Sequence, residues 1–91
     1  MTVTVIFDVP GMTAAQYDNV MADLDKAGTG TPAGRLYHNA AAKPAGWLVV
    51  DVWESPAHLD AFAQTLMPVL AQNGVTPPQP QVYPTHNVIV P

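Results

Sequence analysis

Residues 46–56 read GWLVVDVWESP, and this stretch decides how the rest of the chain is interpreted. Residues 47–53 are almost all β-branched or aromatic, which is typical of a strand. Ser55 then supplies a capping hydroxyl, and Pro56 takes the first helical position, where a proline loses no hydrogen bond. The stretch therefore predicts a strand that passes directly into a helix.

The other elements follow by working outward from this stretch. Further strands are predicted at residues 2–9, 35–41 and 82–90. The first helix is expected to begin at Thr13, whose capping box and hydrophobic staple involve Gln16 and Tyr17, and to end at Gly28. In the second helix, whose C-terminal cap is expected at Gly74, the proline at position 68 predicts a kink or a break.

The element order β-α-β-β-α-β is that of a ferredoxin-like fold. We expect one α+β domain over residues 1–91, with a four-stranded antiparallel sheet in the order 4-1-3-2 and both helices on one face. Within the sheet, strands 1 and 3 are expected to be parallel neighbours. Strands 2 and 4 are expected at the edges.

Composition excludes several classes of function. Three Lys plus Arg against seven Asp plus Glu, a net charge of −4, are too few cations for a nucleic-acid partner. The chain has no cysteine, and its three histidines lack zinc-ligand spacings, so we expect neither a metal nor a cofactor. No basic leader and no bilayer-length apolar run is visible, which predicts a cytoplasmic protein without a membrane partner.

The third strand is apolar on both sides, and this predicts a homodimer. Alternation divides it into Leu48, Val50 and Val52, which we expect to face the helices, and Trp47, Val49, Asp51 and Trp53, which we expect to face away. Covering the two tryptophans would remove on the order of 300–500 Å² from water, or roughly 8–12 kcal/mol. A second copy can supply that cover, sheet against sheet; the alternative is that the tryptophans are simply exposed.

Ionisable residues on the same face are the candidates for chemistry, because they would be desolvated between two sheets. If the hairpin closes around residues 43–44, His38 lies opposite Val49 and one diagonal step from Asp51, about 7–8 Å away. Their side chains would then meet. A one-residue change of register would bring Tyr37 to that face instead of His38.

Two further histidines are weighed against structural roles. His86, in the last predicted strand, is assigned to the same face, near Ile6 or Asp8. His58 is expected to cap the second helix or to be solvated. The structural alternatives are that an edge-strand histidine is merely hydrogen-bonded, and that Asp51 accepts a bond from a tryptophan indole or from a partner chain.

Residues 46–56, together with Leu59, Phe62, the helix end 66–74 and the ending 82–87, resemble the dimeric α/β-barrel superfamily. That superfamily includes antibiotic-biosynthesis-type monooxygenases, muconolactone-isomerase-like proteins and haem-degrading monooxygenases. The resemblance is specific for the fold and not for the activity, since members with different chemistries share the pattern. It implies a homodimer in which a small aromatic or hydrophobic ligand lies between each sheet and its helices or loops.

The resemblance further implies a cofactor-independent monooxygenase or isomerase of aromatic or polyketide-like compounds. Such an enzyme needs a pocket that deprotonates an electron-rich phenol and stabilises its anion. His38 or His86 would be the general base, and Asp51 would orient it. The substrate-binding candidates are Trp53, Tyr83, Tyr37 and Trp47. The alternative is a non-catalytic homodimer that binds a small ligand or is purely structural.

Overall fold

Four strands and two helices follow one another in the predicted order in the computed structural model, which describes residues 1–91. They are β1 (Val3–Pro10), α1 (Ala14–Lys26), β2 (Arg35–Lys43), β3 (Gly46–Trp53), α2 (Pro56–Gln72) and β4 (Gln81–Pro84). The sheet order is β2-β3-β1-β4, which confirms the predicted ferredoxin-like α+β fold. No helix has the length and apolar character needed to span a membrane.

The direction of the two central strands differs from the prediction. β1 and β3 are neighbours, as expected, but they run antiparallel. The reason is the order of the connections: the α1 crossover makes β1 parallel to β2, and the β2–β3 hairpin then reverses the chain. The predicted parallel pairing of these two strands was wrong.

The sequence signals at both helix starts are confirmed. In α1, the Thr13 hydroxyl accepts from the Gln16 amide at 3.2 Å, and the Gln16 side chain accepts from the Thr13 amide at 3.0 Å. In α2, the Ser55 hydroxyl accepts from the His58 amide at 3.3 Å, and the His58 ring nitrogen Nδ1 lies 2.7 Å from the same hydroxyl. His58 therefore belongs to the helix cap, as expected.

Pro68 does not break α2, which continues through it to Gln72. Because its backbone nitrogen carries no hydrogen, the carbonyl of Gln64 lacks the usual helical donor. Both residues are exposed, so water can satisfy that carbonyl and the helix persists.

The helices cover the opposite face of β3 from the one predicted. Trp53 is fully buried and packs with Val3, Val5 and Leu59. The Trp47 ring lies 5.3 Å from the ring of Tyr17 on α1. Both tryptophans therefore point toward the helices of their own chain, and the prediction that a second copy must cover them was wrong.

The register of β1 against β3 explains this orientation. Val3 pairs with Trp53 and Val5 with Asp51, so all four side chains share one face of the sheet. The helices pack on the face of β1 that carries its alternating valines. The pairing of β3 with β1 determines which side of β3 lies on that same face. Because β3 is apolar on both sides, its own sequence does not reveal which side is covered.

The other side of the sheet has no helix over it. We call it the outer face; it carries Thr4, Ile6, Asp8, Tyr37, Asn39, Ala41, Leu48, Val50, Val52, Gln81 and Tyr83. Ile6, Leu48 and Val50 are half-buried at its centre, and the aromatic rings at its edges, Tyr37 and Tyr83, are exposed. A single copy thus leaves an apolar sheet surface in contact with water.

The last strand is shorter than predicted, spanning Gln81–Pro84 instead of 82–90. Only Thr85 continues the pairing: its amide donates to the Thr2 carbonyl at 3.0 Å, and its hydroxyl lies 2.8 Å from that of Thr4. Because β1 begins at Val3, the later residues have no strand to pair with.

Candidate active site

A cavity of about 70 Å³ lies between the sheet and the two helices. Its wall is apolar except at four side chains: Tyr17 from α1, Arg35 and His38 from β2, and Asp51 from β3. An apolar pocket with a few convergent polar groups is the usual form of a small-molecule site. Nowhere in the chain do three histidine or carboxylate side chains come together as metal ligands.

His38 and Asp51 form a hydrogen-bonded pair in the wall of this cavity. They lie directly opposite each other in the β2–β3 ladder, and His38 Nδ1 is 2.6 Å from Asp51 Oδ1. The carboxyl group is almost fully buried, with 4% of the residue exposed. The predicted meeting of these two side chains is confirmed.

The register that brings them together differs from the predicted one by two residues. Lys43 pairs with Gly46, so the hairpin closes on a two-residue turn, and Ala45 takes a positive φ of 56°. A shift of two residues preserves the face on which each side chain lies. The pair is therefore directly opposite instead of diagonal, and Tyr37 falls on the outer face.

Two more groups extend the pair into a chain of hydrogen bonds. Trp53 Nε1 donates to Asp51 Oδ2 at 3.3 Å, and the Tyr17 hydroxyl lies 2.6 Å from His38 Nε2. Since the carboxylate only accepts, Nδ1 of His38 carries the proton. In the neutral imidazole Nε2 is then the acceptor, and Tyr17 donates to it. We call Tyr17, His38 and Asp51 the relay.

Tyr17 is held as a neutral phenol. Burial raises the pKa of its hydroxyl above the ordinary value, and the negative charges of Asp51 and Asp18 act in the same direction, while Arg35 opposes them. The ionised form is disfavoured because it would lose hydration in the cavity wall. Tyr17 therefore remains a donor to His38 in neutral and mildly alkaline solution.

We expect Tyr17 to ionise at higher pH than a free tyrosine. The difference in tyrosinate absorbance between the unaltered protein and Tyr17→Phe reports the ionisation of Tyr17. This difference should develop only above about pH 10, the ordinary pKa of tyrosine. Since the folded pKa lies above the unfolded one, the stability that neutral Tyr17 contributes is present below the unfolded value and is lost as pH rises through the folded one. The free energy of unfolding should therefore fall less in Tyr17→Phe over that alkaline range. A difference spectrum that titrates as free tyrosine would contradict this.

The third predicted catalytic residue is not at this site. His86 lies two residues beyond the end of β4 and is exposed. The predicted position of His86 depends on a strand that runs to residue 90. That strand ends at Pro84, so the face predicted for His86 does not exist at its position.

The predicted substrate-binding aromatics are divided between the two sides of the sheet. Tyr37 and Tyr83 lie on the outer face, 38% and 52% exposed, and do not line the cavity. Trp53 supports the cavity indirectly through its bond to Asp51. Trp47 packs against Tyr17, and its indole nitrogen is buried without a hydrogen-bond partner.

Sequence reasoning missed the roles of Tyr17 and Arg35. The spacing of Tyr17 in the first helix predicts only a packing role, although a buried tyrosine hydroxyl usually needs a partner. Arg35 lies two residues before Tyr37, and in a regular strand both would point to the same, outer face. A register shift between those two residues turns Arg35 to the cavity side, opposite Trp53.

Comparison with solved structures identifies the fold. The chain is similar to a candidate antibiotic biosynthesis monooxygenase from Chloroflexus aurantiacus, at 18% identity, TM-score 0.67 and 100% coverage of both chains. It is similar to Rv0793 from Mycobacterium tuberculosis, at 17% identity and TM-score 0.67, over 99% of this chain and 100% of that one. The cofactor-independent oxygenase SnoaB from Streptomyces nogalater matches at 18% identity and TM-score 0.59, over 97% and 94%.

These similarities confirm the predicted resemblance at the level of the fold. No family model and no curated protein matches the chain in sequence. Because a fold of this kind hosts different chemistries, function has to be argued from the cavity and the relay.

Proposed function

We propose that this protein is a cofactor-independent enzyme that deprotonates a small phenolic or enolisable aromatic compound and passes it to molecular oxygen. The observation that carries the proposal is the relay, a hydrogen-bonded chain of Tyr17, His38 and Asp51 in the wall of an apolar cavity. SnoaB, which has the same fold, is a cofactor-independent oxygenase.

The composition of the cavity wall supports catalysis over simple packing. A buried carboxylate is costly unless hydrogen bonds compensate it, and an aliphatic core would need no such compensation. Asp51 instead holds His38 through one oxygen and accepts from Trp53 through the other. This arrangement orients the imidazole, fixes its tautomer and would stabilise the imidazolium, as a carboxylate does in other histidine-based sites.

The proton would leave the substrate through Tyr17. Its hydroxyl already occupies the accepting nitrogen of His38, so a substrate hydroxyl or acidic C–H reaches the base by way of that oxygen. Tyr17 takes the substrate proton as its own proton moves to His38 Nε2. Because burial disfavours tyrosinate, we expect the two transfers to be coupled, with Tyr17 never carrying a full negative charge.

The oxygen step balances without a cofactor. For an anthrone-type methylene group, the substrate anion supplies the electrons that reduce O₂. One oxygen atom becomes the new carbonyl, and the other leaves as water with the two hydrogens of the methylene. The relay returns its proton to that departing oxygen, so the protein ends as it began.

The cavity must enlarge to hold such a substrate. Its volume of about 70 Å³ is smaller than the roughly 150 Å³ of a cavity that holds benzene. Met21 and Met67 line it, and methionine side chains adapt readily because they are unbranched and have several rotatable bonds. We therefore expect the aromatic ring of the substrate to enter by displacing these methionine side chains, while strands β2 and β3 keep their positions.

Turnover under air tests the proposal against a purely ligand-binding role. A panel of anthrone- and quinol-type compounds is mixed with the protein, and product absorbance and oxygen uptake are recorded together. We expect oxygen-dependent product formation by at least one compound, with one O₂ consumed per methylene oxidised. Saturable binding without turnover across the panel would favour the non-catalytic alternative.

We also propose that the protein is a homodimer that packs through its outer face. Ile6, Leu48 and Val50 form an apolar centre that no helix covers, and Tyr37 and Tyr83 flank it. Two copies placed sheet against sheet would bury this surface on both. The support thus comes from the aliphatic residues of β1 and β3 and not from the tryptophans.

Val50→Lys should dissociate the dimer. A lysine at the centre of a sheet-to-sheet interface would be desolvated without a partner, and we expect the dissociation constant to rise by about a hundredfold or more. Gln64→Lys, which adds the same charge to the exposed side of α2, is the matched control. Sedimentation of both variants at micromolar concentration measures the effect. Equal behaviour of the two would place the interface elsewhere.

A further inference from the structure

Arg35 is a cation in the cavity wall without a carboxylate partner. The ion pairs of the chain are His38–Asp51, Lys43–Asp8 and His58–Glu54. Arg35 makes one side-chain hydrogen bond, from Nη2 to the Gly30 carbonyl at 3.2 Å. A guanidinium has five N–H donors, so most of its donors remain free for a ligand.

The backbone places Arg35 beside the relay. The register shift after Arg35 turns it to the same face of β2 as His38, roughly 7–10 Å along the strand. Its guanidinium carbon lies 5.9 Å from the centre of the Phe62 ring, which also lines the cavity. The planar cation is therefore held over an aromatic ring at the cavity wall, near the groups that would handle the proton.

The charge of Arg35 acts within the site. Its positive field lowers the pKa of Tyr17, opposing the effects of burial and of Asp51. Both oxygens of Asp51 are already engaged, by His38 and Trp53. A half-buried guanidinium that has no carboxylate of its own is most strongly complemented by an anionic oxygen that arrives with the ligand.

We propose that Arg35 is an anion-binding subsite, and that the substrate is a hydroxylated aromatic acid whose carboxylate pairs with this guanidinium while its hydroxyl faces Tyr17. This rests on the proposed function, since it places the ligand in the same cavity. It narrows the substrate to compounds with an anionic group at one end of the ring and an ionisable hydroxyl at the other. A planar guanidinium suits a carboxylate because the two can form paired hydrogen bonds.

A matched ligand pair tests the subsite by binding alone. 6-Hydroxy-2-naphthoate and its methyl ester share one ring system and differ in charge. Titration calorimetry of the unaltered protein should give at least about tenfold tighter binding of the acid. Arg35→Gln should remove that preference by weakening the acid only, with the ester unchanged within about twofold. Arg35→Lys keeps the positive charge but lacks the paired donors of a guanidinium. Its preference for the acid should lie between those of the unaltered protein and Arg35→Gln.

The control and the contrary outcomes separate this proposal from the function on which it rests. Lys26→Gln removes an equal charge from the exposed end of α1 and should preserve the preference for the acid. Equal binding of acid and ester by the unaltered protein would overturn the subsite and leave the proposed function standing. Loss of stability in Arg35→Gln with an unchanged acid-to-ester ratio would make Arg35 a structural counter-charge and also overturn it. Absence of binding by both ligands, together with no turnover across the oxygen panel, would overturn both proposals.

Discussion

His38→Ala should lower kcat on any turned-over substrate by about 10²–10⁴-fold, the usual contribution of a general base. The substitution removes the nitrogen that accepts from Tyr17 and the imidazole that Asp51 orients. The change leaves the buried carboxylate of Asp51 with only its bond from Trp53, so we expect the variant to be less stable than the unaltered protein. Steady-state kinetics, with circular dichroism as the check on folding, measure the effect.

His86→Ala is the matched control, because it makes the same change at an exposed position outside the cavity. It should keep kcat within about twofold of the unaltered protein. Asp51→Asn preserves the shape of the relay but replaces an accepting oxygen with a donor, so we expect a loss approaching that of His38→Ala. If His86→Ala lost activity and His38→Ala kept it, the relay would have no part in the chemistry.

Trp53→Ala should cost about 3–5 kcal/mol of unfolding free energy, as expected for truncating a large buried aromatic residue. Its side chain is fully buried among Val3, Val5 and Leu59, and its ring lies 5.5 Å from that of Phe62. The change would also leave Asp51 Oδ2 without its indole donor. Domains are typically stable by only about 5–15 kcal/mol, so the variant should be close to unfolding. Urea unfolding followed by circular dichroism measures the difference.

Two companion variants separate packing from hydrogen bonding. Trp53→Phe keeps an aromatic ring and removes the indole N–H, so it should lose less stability than alanine at the same position. Ile89→Ala truncates an exposed apolar residue beyond the end of β4 and should change stability by less than about 0.5 kcal/mol. Equal costs for Trp53→Ala and Ile89→Ala would contradict the burial of Trp53 beneath the helices.

The element order and the helix caps could be predicted from sequence because they depend on neighbouring residues. Thr13 with Gln16 and Ser55 with Pro56 each act within one helical turn. The pairing of His38 with Asp51 was also predictable, since any register shift by an even number of residues keeps them on one face.

The side of the sheet that the helices cover could not be predicted in the same way. β3 is apolar on both sides, so its alternation fits either orientation, and only its pairing with β1 settles which one is buried. The position of Arg35 depends on an irregularity in β2, between Arg35 and Tyr37. This irregularity changes the face to which a residue N-terminal to it points. The exposed position of His86 could not be predicted, because the length of β4 depends on where β1 begins.

Nitrogen NMR of the histidine side chains, recorded while 6-hydroxy-2-naphthoate is added, tests most directly whether His38 is a proton acceptor at a ligand cavity. We predict a protonated Nδ1 and an accepting Nε2 for His38 in the free protein. The ligand should shift the Nε2 resonance and leave both nitrogens of His86 unchanged. The account would be contradicted if the two nitrogens of His38 gave the averaged signals of a free imidazole, and if these signals did not change when calorimetry shows that the ligand is bound.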